Sequence, residues 1–102
     1  MEEELLKSGE RINQLFSTDI KIIQNKEVFS YSVDSVLLSR FPRFPNNGLI
    51  VDFCAGNGAV GLFASSRTKA KILSVEIQER LADMAERSVR LNGLEEQMQV
   101  IC

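Results

Sequence analysis

Apolar runs alternate with polar connections in the second half of the chain, and their lengths predict strands and helices in turn. The runs "LIVDF", "ILSVE" and "MQVIC" are typical of strands, and the first is so continuously apolar that we expect a central strand buried on both faces. A helix is predicted from about Ala59 to Ser66. A second helix is predicted over "QERLADMAERSVRLNGL", where Gly93 is placed to end it in a Schellman motif.

The first half of the chain has weaker patterns. "IKIIQ" and "EVFSY" are β-prone runs on either side of Asn25 and Lys26, which predicts a hairpin. "SVDSVLLSRFP" predicts a short helix that begins at Ser32 or Asp34 as N-cap and stops at Pro42. The preceding "SGERINQLFSTD" has no decisive period, so no element is predicted there.

The order strand, helix, strand, helix, strand predicts the α/β fold class, because right-handed crossovers turn such a series into a doubly wound, Rossmann-like parallel sheet. We expect an N-terminal hairpin and helix segment over residues 1–45 and the first half of the sheet domain over residues 46–102. So few elements bury little apolar surface. The fold is therefore expected to be incomplete and truncated, with an open sheet edge that could associate with a partner chain.

Composition narrows the functional classes. The chain has 102 residues, 44% hydrophobic and 25% charged, with a formal net charge of −2, which gives no overall basic footprint for nucleic acid. No apolar run approaches the length of a membrane span, and the acidic N-terminus is unlike a signal peptide, so a cytoplasmic location is expected. Cys54 and Cys102 lie far apart and histidine is absent, so we expect apolar fillers, with no disulfide framework and no metal.

The stretch "VDFCAGNGAVG" combines a G-x-G-x-x-G pattern with Asp52, which lies four residues before Gly56. In a dinucleotide site, the helix after the glycines receives a doubly charged pyrophosphate, which a nearby carboxylate would repel. S-adenosylmethionine carries an ammonium group and a sulfonium but no phosphate, so the loop favours this methyl donor. A Cβ at Gly56 or Gly58 would occupy ligand volume, whereas Gly61 allows tight helix packing.

Two carboxylates have predicted roles in this site. Asp52 is expected to accept hydrogen bonds from the ligand's amino end, or alternatively to brace the loop backbone. Glu76 ends the second strand, where a carboxylate can accept both ribose hydroxyls; the alternative is a structural neighbour of the next helix's N-cap. Ile77, beside it, could pack on the adenine face.

These motifs resemble a known family. "VDFCAGNGAVGL" with "SVEIQ" is similar to the first two motifs of class I S-adenosylmethionine-dependent methyltransferases. The upstream "GERINQL" and "KIIQNKEVFSYSVDSVLLSRF" resemble bacterial enzymes related to the tRNA(Val) adenine methyltransferase, in the methyltransferase small-domain group. In that group the segment matching "FSYSVDSVLL" lies over the cofactor's methionine end, which implies Tyr31 and Asp34 as site residues. Asp34 has an equal alternative as a plain helix N-cap. The expected cofactor-binding residues are Asp52, Cys54, Ala55, Gly56, Asn57, Gly58, Glu76, Ile77, Tyr31 and Asp34.

The resemblance also implies the chemistry. The family transfers a methyl group to an exocyclic amine of adenine in RNA by in-line displacement at the sulfonium, with no metal. Its catalytic Asn-Pro-Pro-aromatic tetrapeptide is absent here, because Pro42 and Pro45 are the only prolines and both precede the glycine loop. No residue of this chain is therefore assigned a catalytic role.

Two other functions remain open at the level of sequence. One is a non-catalytic fragment that associates with a partner chain through the unfinished sheet. The other is half of a dinucleotide-binding oxidoreductase, which the position of Asp52 disfavours.

Overall fold

The computed structural model describes residues 2–14, 19–25, 38–40 and 43–102, and gives no side-chain description for residues 2 and 3. A short 3-10 helix comes first, and a helical stretch is described at residues 38–40. The other elements are β1 (Arg11–Gln14), β2 (Lys21–Gln24), β3 (Leu49–Phe53), α1 (Ala59–Ser65), β4 (Lys71–Val75), α2 (Glu79–Leu91) and β5 (Met98–Ile101).

The second half of the chain forms the predicted α/β unit. Strands β3, β4 and β5 are parallel and lie side by side in that order, each joined to the next through a helix. The predicted strands and both predicted helices are confirmed to within one or two residues. The end of α2 is also confirmed, since Leu94 N donates to Val89 O and Gly93 N donates to Arg90 O, which is the Schellman pattern.

Both helices pack on the same face of the sheet. Leu62 of α1 and Val89 of α2 share one buried cluster with Ile72 and Met98 of the strands. Full burial of a side chain such as Leu62 contributes about 1.5–3 kcal/mol. The layers meet closely at Gly61, where an added Cβ would lie 2.8 Å from Met98 Cε, so the packing role predicted for this glycine is confirmed.

The other face of β3 is open, so the expectation of burial on both faces is wrong. Leu49, Val51 and Phe53 are 62%, 40% and 75% exposed, whereas Ile50 and Asp52 face the helices. Strand β3 lies at the edge of the described sheet, and no described helix covers its second face. The apolar run of β3 therefore contributes only alternate side chains to the core.

A two-stranded ribbon, formed by β1 and β2, packs against the helical layer. Ile22 of β2 lies in the same core as Leu62, and β2 pairs antiparallel with β1. The strand over Lys21–Gln24 was predicted, but β1 was not. The predicted hairpin partner "EVFSY" and most of the following predicted helix lie outside the described residues.

A buried ion pair fastens the N-terminal segment to α2. Arg87 and Glu10 have side chains only 5% and 3% exposed, with Arg87 Nη2 2.7 Å from Glu10 Oε2. Arg87 Nη1 also donates to the carbonyl of Leu5. The guanidinium lowers the pKa of Glu10 mainly by hydrogen bonding, and Glu10 in turn raises the pKa of Arg87.

Candidate functional site

The glycine loop connects the carboxyl end of β3 to the start of α1. The loop is tied to the neighbouring strand, because Ala55 N donates to Val75 O at 2.9 Å, and it closes a turn through Gly58 N to Ala55 O at 3.0 Å. Positive φ angles alternate along it, with values of 61° at Cys54, 60° at Gly56 and 90° at Gly58. The loop thus folds back over the sheet edge at the ends of β3 and β4.

Gly58 is needed for a different reason from the predicted one. A Cβ added at this position would lie 3.2 Å from Ala85 Cβ and 3.4 Å from Met98 Cε, so it points into the protein layers rather than into ligand space. Its φ of 90° is also a conformation that L side chains rarely adopt. Gly58 therefore serves the packing of the loop against α2 and the entry into α1.

Cys54 and Cys102 are both exposed, so their prediction as apolar fillers is wrong. Cys54 follows β3 directly and has a left-handed backbone, which most residues avoid because Cβ crowds the carbonyl oxygen. This conformation turns the chain out of the strand and points the side chain away from the core. This exposure could not be predicted from residue order, because a cysteine in an apolar run is most often buried.

Asp52 lies where the sequence predicted, at the end of β3 and facing the helical layer. Its Oδ2 atom is buried and accepts no hydrogen bond from any residue that the structure describes. Burial, and to a lesser extent the neighbouring carboxylate of Glu76, raise the pKa of Asp52 above its ordinary value of 3.8. The predicted alternative, a carboxylate that braces the loop backbone, has no such contact from Oδ2. Asp52 therefore offers an acceptor for a positively charged donor.

Glu76 performs the bracing instead. It is only 6% exposed, and its Oε1 accepts from Gly56 N at 2.8 Å while its Oε2 accepts from Gln78 N at 2.9 Å. One carboxylate thus joins the glycine loop to the start of α2. Each oxygen keeps a further lone pair, so the contact with ribose hydroxyls stays a prediction beside this structural role. Gln78 was not singled out from the sequence, because a backbone donor leaves no residue-type signal.

Asn57 and Ala55 are buried within the loop. The side chain of Asn57 is fully buried, and its Nδ2 donates to the carbonyl of Ile23 in β2 at 3.2 Å, whereas its Oδ1 has no partner among the described residues. Ile77, by contrast, is 88% exposed beside Glu76, where a planar ring could pack on it.

The structure brings together eight of the ten residues predicted for the cofactor site, those from Asp52 to Gly58 and the pair Glu76 and Ile77. Tyr31 and Asp34 lie outside the described residues. Burial of the strand "LIVDF" on both faces would include Phe53, but Phe53 is 75% exposed at the end of β3. A period-two reading of "LIVDF" would have separated Phe53 from the core positions.

Solved structures with this fold are similar over almost the whole chain. TYW2 of Pyrococcus horikoshii, in complex with MeSAdo, matches with a TM-score of 0.75 at 19% identity, over 93% of this chain and 36% of that chain. The Pyrococcus abyssi tRNA (uracil-54, C5)-methyltransferase, in complex with S-adenosyl-L-homocysteine, matches with a TM-score of 0.68 at 16% identity. The match covers 95% of this chain and 25% of that chain. The chain has the Rossmann-like fold of methyltransferases.

A third similar structure is Trm5 of Methanocaldococcus jannaschii in complex with adenosine, with a TM-score of 0.68 at 16% identity, over 95% of this chain and 30% of that chain. This chain thus spans about a third or less of the length of these three proteins. Neither a family model nor a curated protein matches the sequence. Within the described ranges, no helix is long and apolar enough to cross a membrane, and no three His, Cys, Asp or Glu side chains gather as a metal site.

Proposed function

We propose that this chain is the cofactor-binding part of an S-adenosylmethionine-dependent methyltransferase. The observation that carries the proposal is the buried Oδ2 of Asp52, which has no partner in the described part of the chain, at the end of the strand that leads into the glycine loop. A buried carboxylate oxygen without a hydrogen-bond donor raises the free energy of the folded state, and a cationic ligand group at the loop would supply that donor. The Rossmann-like fold supports the same proposal.

The charge of the site favours a sulfonium cofactor over a dinucleotide. Asp52 and Glu76 interact unfavourably with each other, which helps to raise the pKa of Asp52. A pyrophosphate brought to the same loop would add two further negative charges, whereas the amino group and sulfonium of S-adenosylmethionine would relieve the repulsion. In this proposal Asp52 faces the amino end, Glu76 holds the ribose side while it braces Gly56, and Ile77 covers the adenine.

We further propose that the substrate is tRNA and that the methylated atom is an exocyclic amine of adenine. The motif likeness to the tRNA(Val) adenine methyltransferases supports this choice of base. Structurally similar proteins support tRNA as the substrate class. One is a tRNA (uracil-54, C5)-methyltransferase, and another, aTrm5, was solved in complex with tRNALeu. Bound cofactor would supply the methyl group, and residues outside this chain would hold the amine.

Isothermal titration of the full-length protein tests the cofactor. We expect S-adenosylmethionine to bind and NAD to show no heat. Asp52→Ala is expected to weaken binding at least tenfold, because it removes a charged acceptor worth about 1.5–3 kcal/mol. Asp19→Ala is the matched control, since Asp19 is exposed and lies far along the chain from the loop. Equal affinity of Asp52→Ala and the control, or binding of NAD alone, would reject the proposal.

Transfer of a labelled methyl group tests the substrate. The full-length protein, labelled S-adenosylmethionine and unmodified tRNA are incubated, and the tRNA is digested to nucleosides. Label in N6-methyladenosine is the expected result. Label in a uridine or guanosine derivative would retain the methyltransferase but reject the adenine assignment.

A further inference from the structure

The ribbon is joined to the helical layer by side chains along one strand edge. Strand β2 pairs with β1 on one side, and the backbone groups of Lys21 and Ile23 face the other. Lys21 N donates to Asn92 Oδ1 at 2.7 Å, and Asn92 Nδ2 donates back to Lys21 O at 2.6 Å. Ile23 N donates to Ser88 Oγ at 2.9 Å. Side chains of α2 and its C-cap thus occupy the place of a third strand.

The carbonyl of Ile23, on the same edge of β2, accepts a hydrogen bond from a side chain of the glycine loop. Ile23 O accepts from Asn57 Nδ2 at 3.2 Å, and the Asn57 side chain is fully buried. Ser88 is also fully buried, so water does not replace either contact. The backbone groups of a single residue, Ile23, therefore join the ribbon to both α2 and the glycine loop along one strand edge.

Besides the backbone hydrogen bond from Ala55 to Val75, the glycine loop is held by side chains. Cys54 has a φ of 61°, a left-handed conformation that a residue other than glycine keeps only where the surroundings hold it. Among the described side chains, Glu76 holds Gly56 and Asn57 holds Ile23. Releasing the contact from Asn57 to Ile23 would leave one of these two supports and a buried amide without a partner.

We infer that the β1–β2 ribbon positions the glycine loop through Asn57, so that docking of the ribbon and binding of an adenosyl cofactor are thermodynamically coupled. Asn57 is a positioning residue here, because the inference uses the hydrogen bond from its side chain to β2. The inference rests on the proposed function. Since coupling free energy is reciprocal, undocking of the ribbon must weaken cofactor binding by the same factor by which the cofactor tightens docking of the ribbon.

Hydrogen exchange and titration of the full-length protein with S-adenosylhomocysteine test the coupling. In the wild type, the amides of Lys21 and Ile23 are expected to exchange more slowly when the ligand is added. Ser88→Ala removes the contact of Ile23 N with α2 without changing any residue of the loop, and is expected to weaken binding about tenfold. Asn57→Ala is expected to retain measurable binding but to lose the ligand-dependent protection of Ile23.

The matched control is Asn13→Ala. It removes one hydrogen bond of similar length, from Gln24 Nε2 to Asn13 Oδ1 at 3.0 Å, that lies within the ribbon and does not reach the loop. Its ligand affinity is expected to stay within about twofold of the wild type. A role in folding alone would lower the melting temperature of Ser88→Ala without changing its affinity measured well below that temperature.

The possible failures are distinguishable. A wild type that binds no S-adenosylhomocysteine overturns the proposed function and the inference with it. A wild type that binds the ligand without protecting Lys21 and Ile23 overturns the inference alone, even if a variant fails to fold. Faster exchange at Ile23 in Ser88→Ala, with unchanged affinity for S-adenosylhomocysteine, would also overturn the inference alone.

Discussion

Replacing Asp52 by asparagine is expected to stabilise the ligand-free protein at neutral pH and to weaken cofactor binding. Oδ2 of Asp52 is buried with no partner among the described residues, and the pKa of the group is raised, first by burial and then by Glu76. The folded state therefore disfavours the charged form. Asparagine has nearly the same shape and removes the charge, so it removes that penalty while keeping the packing.

The magnitude follows from the environment of the group. Leaving a buried polar group unsatisfied costs about 1–3 kcal/mol, and more if the group is charged, so replacing the half-buried carboxylate of Asp52 by a neutral amide is expected to recover about 1 kcal/mol. A gain of about 1 kcal/mol corresponds to an increase in melting temperature of about 4–8 °C for a domain of this size. The cost of the wild-type carboxylate is absent below its ordinary pKa of 3.8, where both states are protonated, and it grows as pH rises through the raised pKa.

Thermal unfolding of wild type and Asp52→Asn from about pH 4 to pH 8 measures this difference. The variant should gain stability over the wild type as pH rises, and the two should converge at the acidic end. Asp19→Asn is the control, because an exposed aspartate should give no pH-dependent difference. A variant that is less stable than the wild type at neutral pH, or a gain in stability that does not depend on pH, would refute the account of Asp52 as a buried carboxylate without a hydrogen-bond donor.

Three further predictions concern the scaffold. Cys54→Gly should raise stability by about 1 kcal/mol, because glycine relieves the strain of the left-handed backbone at this position. Cys54→Ala keeps the Cβ atom and should not raise it. Equal denaturant midpoints for these two variants would contradict the prediction. Gly61→Ala should lower stability by about 1–3 kcal/mol, because its Cβ would lie 2.8 Å from Met98 Cε and 3.1 Å from Ser74 Oγ; a cost below about 0.5 kcal/mol in urea unfolding would argue against the close approach of α1 to the sheet. Arg87→Met should cost about 3–5 kcal/mol at neutral pH, because Glu10 is left buried and unpaired. This loss should shrink as pH falls through the lowered pKa of Glu10, and a loss that grows in acid would contradict the pairing.

The predictable parts of the fold are those with a local pattern. Helix α2 has apolar residues at helical spacing and is followed by Gly93 in a Schellman motif, so its type and its end followed from residue order alone. Strand β1 has no such pattern. It exists because the edge of β2 pairs with it, which is a contact between two strands that the period of neither strand records.

In the candidate site, too, some features could be predicted from the sequence and others could not. Asp52, the glycines and Glu76 were recognisable because residue type and spacing carry the chemistry of the loop. The direction of each side chain was not, since Asn57 reaches back to Ile23 and Glu76 binds backbone N–H groups of Gly56 and Gln78. Backbone donors and acceptors are present at every residue, so their use at one position depends on the fold and leaves no trace in composition.

A crystal structure of the full-length protein with S-adenosylhomocysteine tests the central claim most directly. The account predicts the ligand over the loop from Cys54 to Gly58, with its amino group within hydrogen-bond distance of Asp52 Oδ2 and its ribose near Glu76. A ligand bound elsewhere, or a pyrophosphate-containing cofactor seated on Gly56 and Gly58 with Asp52 turned away, would contradict it.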